Sequence, residues 1–224
     1  MVGRQNQWTT RLGLLCLFMG VIVMLTTGVA GAGLRFRVNV NYVSGMEDVF
    51  DQFKDNIRYD VFYHTDVLLD EDELDSFAWP VGIALSPYYQ WDNGLMLGGQ
   101  VGPIIFLYGT AETIGLFEDY DETYTYWQVP VNVTIGYNFF PNGPVSPYIR
   151  VGPSYHFAGG DFYDSSSLGF IVAGGAELLK SSHFALGVEA AYDSAEVDLD
   201  NVRTGGTRTI KAAEFTVGVF FQFQ

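Results

Sequence analysis

From Leu34 to the end of the chain, apolar and polar residues alternate with a period of two in segment after segment. A period of two is the signature of a β-strand whose faces meet different surroundings. Leu34, Phe36, Val38, Val40 and Tyr42 alternate with Arg35, Arg37, Asn39 and Asn41. Further strands are predicted over Phe77 to Trp91, Leu95 to Tyr108, Trp127 to Phe139, Tyr148 to Phe157, Leu168 to Leu179, His183 to Tyr192 and Ala213 to Phe223. In the last, Phe215, Val217, Val219, Phe221 and Phe223 share one face, and Phe220 breaks the otherwise small or polar opposite face. Asp92-Asn93-Gly94 predicts a tight hairpin, because Asn-Gly accepts the positive φ angles of a type I′ turn. Pro103 predicts a bulge or bend.

In most strands one face is large and apolar and the other polar, charged or small; Leu95 to Tyr108 is glycine-rich and alternates more weakly. Two arginines facing a soluble core would be costly to bury. A sheet with lipid outside and a polar filling inside accommodates them. The expected fold class is therefore all-β: an eight-stranded antiparallel up-and-down transmembrane β-barrel. The connections alternate between long and short, which puts long loops at one end and short turns at the other. A closed barrel also leaves no unpaired strand edge in lipid, unlike a soluble sandwich. Tyr42, Trp91, Trp127, Phe139, Tyr192 and Phe223 are placed to form interfacial girdles.

The longest interruption, Ser44 to Asp75, holds Val49, Phe50, Phe53 and Ile57 at helical spacing, so a short helix is expected over Met46 to Ile57. Tyr59 to Val67 reads as a strand or a loop extension, and pairing within the sheet would raise the strand count to ten. Ala111 to Glu122, Gly159 to Ser167 and Asp193 to Thr209 read as loops, the first of them acidic.

The start of the chain changes the picture of where the barrel goes. Arg4 and Arg11 precede an apolar run from Leu12 to Leu25, and Ala30-Gly31-Ala32 follows. This is the pattern of a cleaved signal peptide over residues 1–32, with the barrel domain over 33–224. The run is short for a membrane helix of about 20 residues. The net charge of −15 excludes the basic footprint of a nucleic-acid binder. A 16% aromatic content excludes an acidic disordered chain. The single cysteine, Cys16, lies in the signal, so neither disulfides nor a cysteine metal site is expected in the barrel.

Parity places Arg35, Arg37, Arg150, Glu177, Glu189 and Glu214 inside, as a balanced lumen charge network. Glu214 on the last strand is expected beside Arg35 or Arg37 on the first. Eight strands leave an interior just wide enough for side chains to fill. Most of the 26 carboxylates fall in the long connections, densest between Glu47 and Asp75. Clustered carboxylates suit calcium or magnesium, though Asp70, Glu71, Asp72, Glu73 and Asp75 lack the spacing of a defined calcium loop. His156 and Ser154 share a face, but no orienting acid or oxyanion site accompanies them. No phosphate loop, zinc spacing or nucleophile elbow is present, so no cofactor is expected.

Two stretches carry a resemblance. Pro147-Tyr148-Ile149-Arg150-Val151-Gly152 resembles a P-Y-x-x-x-G stretch, and Thr216, Gly218, Phe221 and Phe223 resemble a C-terminal assembly signal. Both are features of the small eight-stranded outer-membrane barrels related to the N-terminal domain of outer membrane protein A. Gln224 after the final aromatic departs from the family's usual ending. The resemblance implies a Gram-negative outer-membrane protein, inserted by the barrel assembly machinery and neighbouring lipopolysaccharide. The expected role is structural or surface-interacting, through acidic extracellular loops above a plugged lumen. A narrow porin-like channel is the alternative, and a lipid-modifying enzyme a third.

Overall fold

The computed structural model describes residues 33–70, 74–114, 119–181, 184–211 and 213–223. The expected signal peptide, Glu71 to Glu73, His183 and Gln224 lie outside them. The elements in order are β1 (Gly33–Val43), α1 (Met46–Thr65), β2 (Asp75–Ala78), β3 (Val81–Gln90), β4 (Leu95–Val101), β5 (Ile105–Ile114), β6 (Asp119–Asn138), β7 (Ser146–Gly160), β8 (Tyr163–Ser166), β9 (Leu168–Lys180), β10 (Phe184–Asp193), β11 (Val197–Asn201), β12 (Gly206–Ile210) and β13 (Phe215–Phe223).

Eight antiparallel staves close into a barrel: β1, β2 with β3, β4 with β5, β6, β7, β9, β10 and β13. The first and last strands meet at the seam, where Phe36 pairs with Phe223 and Val43 with Thr216. The outward face is the apolar one. Ile83, Val133, Val217 and Phe221 stand exposed on it, with Tyr42, Trp91, Trp127 and Phe139 near strand ends. Such a band needs lipid, because water would leave a large contiguous apolar surface uncovered.

Several sequence expectations change. The helix runs on to Thr65, so Tyr59 to Val67 is not a strand, and the ten-strand count fails with it. Every fourth residue from Val49 (Phe53, Ile57, Val61) is buried, which carries the helical stripe past the point where the aromatic-rich segment suggested a strand. The acidic segment from Ala111 is mostly hairpin, with Ala111 paired to Glu122 and Ile114 to Asp119. The Asp92-Asn93-Gly94 turn is a three-residue loop in which Gly94 alone takes positive φ, at 90°, and donates to the Trp91 carbonyl at 2.9 Å. That is a type I turn with a glycine bulge, not the type I′ turn expected.

The long connections are themselves folded. β8, β11 and β12 form a three-stranded sheet. α1 packs against it and against β5 and β6, burying Val49, Phe53, Ile57 and Val61 with Leu107, Tyr124, Tyr126, Val197, Leu199 and Ile210. Glu47 and Asp48 in the first helical turn suit the positive end of the helix dipole. Beneath α1, Asn56 Nδ2 donates to the Asp200 carbonyl at 2.6 Å and Arg208 donates to Gln52 Oε1 at 3.1 Å. The result is a cap with its own apolar core over the end of the barrel that carries the long connections.

Two acids on β11 differ in sign. Asp198 accepts from Thr209 at 2.6 Å and Ser165 at 2.8 Å, which holds its carboxyl below the usual range. Asp200 is raised by partial burial and by Asp164 nearby. A lowered folded pKa stabilises the fold above the unfolded value and is lost as pH falls through the folded one; a raised pKa does the reverse. At neutral pH, Asp198→Asn is therefore expected to loosen the cap and Asp200→Asn to tighten it, each by under about 1 kcal/mol for such exposed groups. Hydrogen-exchange protection of the β11 and β12 amides checks both signs.

Candidate functional site: the filled lumen and its cap

Arg37 sits at the centre of the half of the lumen nearer the short turns, 2% exposed. Its guanidinium carbon lies 4.4, 4.3 and 4.4 Å from the ring centres of Tyr88, Tyr148 and Phe220. A desolvated guanidinium among ring faces is a strong cation–π arrangement. It also donates to Gln222 at 2.9 Å and to Glu177 at 3.1 Å, and lies 3.8 Å from Glu189. Arg150 donates to Glu189 at 2.6 and 3.0 Å, to Asn132 at 3.4 Å and to Gln100. Tyr148 donates to the same Glu189 at 2.7 Å. Arg35 donates to Gln90 at 3.0 Å and lies 3.6 Å from Glu177.

The structure thus brings Arg35, Arg37, Arg150, Glu177 and Glu189 together. Glu214 stays apart. Its parity is inward, but the seam register puts it beside Ser44, at the opposite end from Arg35, where its nearest cation is Lys211 at 3.9 Å. In its place the network holds Lys180, 2.8 Å from Glu177 and 2.9 Å from the Pro141 carbonyl. A bulge explains this. Leu186 pairs with Leu179 while Gly187 pairs with Glu177, so Leu178 and Leu179 both face lipid and Lys180 turns inward. Four cations therefore face Glu177 and Glu189, and the expected charge balance becomes a cationic excess.

Room for the large lumen rings comes from glycines on the neighbouring strands. A Cβ on Gly98 would stand 2.3 Å from the Tyr88 Cβ, one on Gly175 2.5 Å from the Tyr148 oxygen, and one on Gly187 2.2 Å from the Phe220 ring. Phe220, the exception to the alternation of its strand, is one wall of the cage around Arg37.

Nearer the cap, His156 is fully buried. One ring nitrogen lies 3.2 Å from Asp193 and the other 2.7 Å from Gln128, which in turn accepts from Tyr126 at 2.6 Å. Ser154 donates to Asp193, not to His156. The sequence pattern leaves Asp193 at the start of a loop, whereas β10 extends to it. Among the described residues, no three His, Cys, Asp or Glu side chains gather as they would around a metal ion.

The residues of the expected C-terminal signal divide by face. Phe221 and Phe223 point to lipid, while Thr216 and Gly218 point inward. Gly218 has a packing reason of its own, since a Cβ there would meet the Val40 carbonyl oxygen at 2.3 Å.

A closed barrel with a lipid-facing apolar wall and a charged interior restricts the comparison to integral outer-membrane proteins. The profile of the outer membrane protein beta-barrel domain matches residues 14–223. The chain belongs to that family. It is accordingly a barrel of the Gram-negative outer membrane. Among solved structures it is similar to the outer membrane protein OprG from Pseudomonas aeruginosa, at 9% identity and a TM-score of 0.46, covering 86% of this chain and 96% of that one. It is also similar to Neisserial surface protein A (NspA), at 11% identity and a TM-score of 0.42, covering 86% of this chain and 98% of that one. No curated protein matches the sequence.

Proposed function

We propose that this outer-membrane barrel is a closed anchor that presents an ordered acidic cap to the cell's surroundings. The observation that carries the reading is how closely side chains pack the middle of the lumen, inside the open mouth of about 600 Å³ that Arg35 and Lys180 line. Two lumen cavities, one beside Arg37 and Arg150 and one beside Asp193 and Thr216, measure about 10 Å³ each, room for about one water molecule. Above them α1 and the small sheet cover the cap's apolar core. Carboxylates on the cap would meet lipopolysaccharide phosphates through bridging divalent cations. Insertion would run through the barrel assembly machinery, reading Thr216, Gly218, Phe221 and Phe223.

The narrow-channel reading draws on the cationic excess, which would favour anions. The two separate in planar bilayers. The purified protein is expected to hold a flat baseline under an applied voltage, and steady single-channel steps would replace the anchor with the channel. The enzyme reading gains little from Ser154, His156 and Asp193. The hydroxyl donates to the carboxylate rather than to the imidazole, so the serine–histidine contact of a catalytic triad is not made.

A further inference from the structure

We propose that Asp60, Tyr120 and Tyr124, with His64 beside them, form a ferric-iron site on the outer part of the cap. α1 supplies Asp60 and His64 one turn apart, and the upper end of β6 supplies Tyr120 and Tyr124 on one face of the strand. The two phenols converge on a single carboxylate oxygen: Tyr120 donates to Asp60 Oδ2 at 2.9 Å and Tyr124 at 2.6 Å. The two phenol oxygens also lie in close contact with each other. With the phenol protons lost, these three oxygens need only spread slightly to reach the about 2.9 Å at which bonds of about 2.05 Å set neighbouring ligands on one face of an octahedron.

Charge selects the ion. Two phenolates and one carboxylate neutralise three positive charges, so a trivalent hard cation leaves the site neutral and a divalent one leaves it anionic. Ligating phenols give up their protons to solvent, as deprotonated ligands require. His64 Nδ1 lies 2.8 Å from the Asp60 backbone carbonyl, a contact that needs its proton and leaves the lone pair on Nε2. The His64 ring centre stands 5.6 Å from that of Tyr120. Tyr124 is buried and fixes the site, while Asp60 and His64 are 28% and 60% exposed and leave it open to an incoming chelate.

The experiment titrates the refolded full barrel in detergent with ferric nitrilotriacetate and records visible absorption. A tyrosinate-to-iron charge-transfer band saturating at one iron per chain is expected. Tyr120→Phe is expected to weaken binding at least tenfold, and His64→Ala about threefold. Tyr63→Phe, on an exposed phenol of the same helix, is expected to leave binding unchanged. Heat-modifiable gel mobility confirms that each variant is folded. Absence of the band, its persistence at full strength in folded Tyr120→Phe, or displacement of iron by equimolar calcium or manganese would each overturn the site.

Discussion

A barrel carrying Glu189→Gln is expected to unfold at markedly lower urea than the parent, by about 3–5 kcal/mol, and to lose more than one carrying Arg150→Met. The asymmetry follows from the census of charges. Arg35, Arg37, Arg150 and Lys180 share Glu177 and Glu189. Removing a cation relieves the excess, whereas removing Glu189 enlarges it. Glu189 is also the hub that takes Arg150 Nε and Nη2 and the Tyr148 hydroxyl. The amide keeps the shape but accepts at one oxygen only, leaving a buried guanidinium short of an acceptor. Urea titration in lipid vesicles, followed by the fluorescence of Trp79, Trp91 and Trp127, measures both variants. Equal losses, or a larger loss for Arg150→Met, would mean that the network is governed by local hydrogen bonds and not by net charge.

The second large effect is expected at a residue with no side chain. Gly187→Val places a Cβ 2.2 Å from the Phe220 ring and 2.3 Å from the Ala176 carbonyl oxygen. The ring could swing away only by opening the cage around Arg37, and the carbonyl belongs to the β9–β10 ladder. Overpacking of this kind costs about 1–3 kcal/mol where side chains can yield, and more where backbone must move. Gly187→Val is expected to lie above that range and to cut sharply the fraction refolding to the heat-modifiable form. Gly174→Ala on the adjacent strand is the control, because its nearest obstacle, the Tyr148 carbonyl oxygen, is 3.7 Å away. A Gly187→Val barrel as stable as the control would show that the Tyr88, Tyr148 and Phe220 cage is dispensable.

How much of this was legible in the sequence depends on which physical quantity each feature needs. Alternation reports only which side of a strand a residue faces, and that sufficed for eight staves with an apolar outside. It also put Arg35, Arg37, Arg150, Glu177 and Glu189 in the lumen. Height along the barrel is another matter. Glu214 has the right parity and the wrong end, because the register pairing Val43 with Thr216 is fixed by the whole seam and not by the strand's own pattern. Lys180 escapes for a complementary reason: the predicted strand stops at Leu179 and leaves Lys180 to the turn, whereas β9 includes it and a one-residue bulge at Leu178 and Leu179 turns it inward. The cap was least legible. Its apolar residues are spread over segments far apart in the chain, so no single stretch looks like part of a core. Val61 is the one local clue, continuing the stripe of Val49, Phe53 and Ile57.

Those distant contributions constrain the timing of assembly. The helix that follows the first strand has its apolar face covered by Val197, Leu199 and Ile210, just before the last strand. Ser44 and Phe215 then exchange backbone and side-chain hydrogen bonds across the seam. The first connection to be made is therefore only partly covered, by Leu107, Tyr124 and Tyr126, until the last one has crossed the membrane. The cap is thus a latch over the joint between first and last strands, and it can fasten only when the circle of strands is complete.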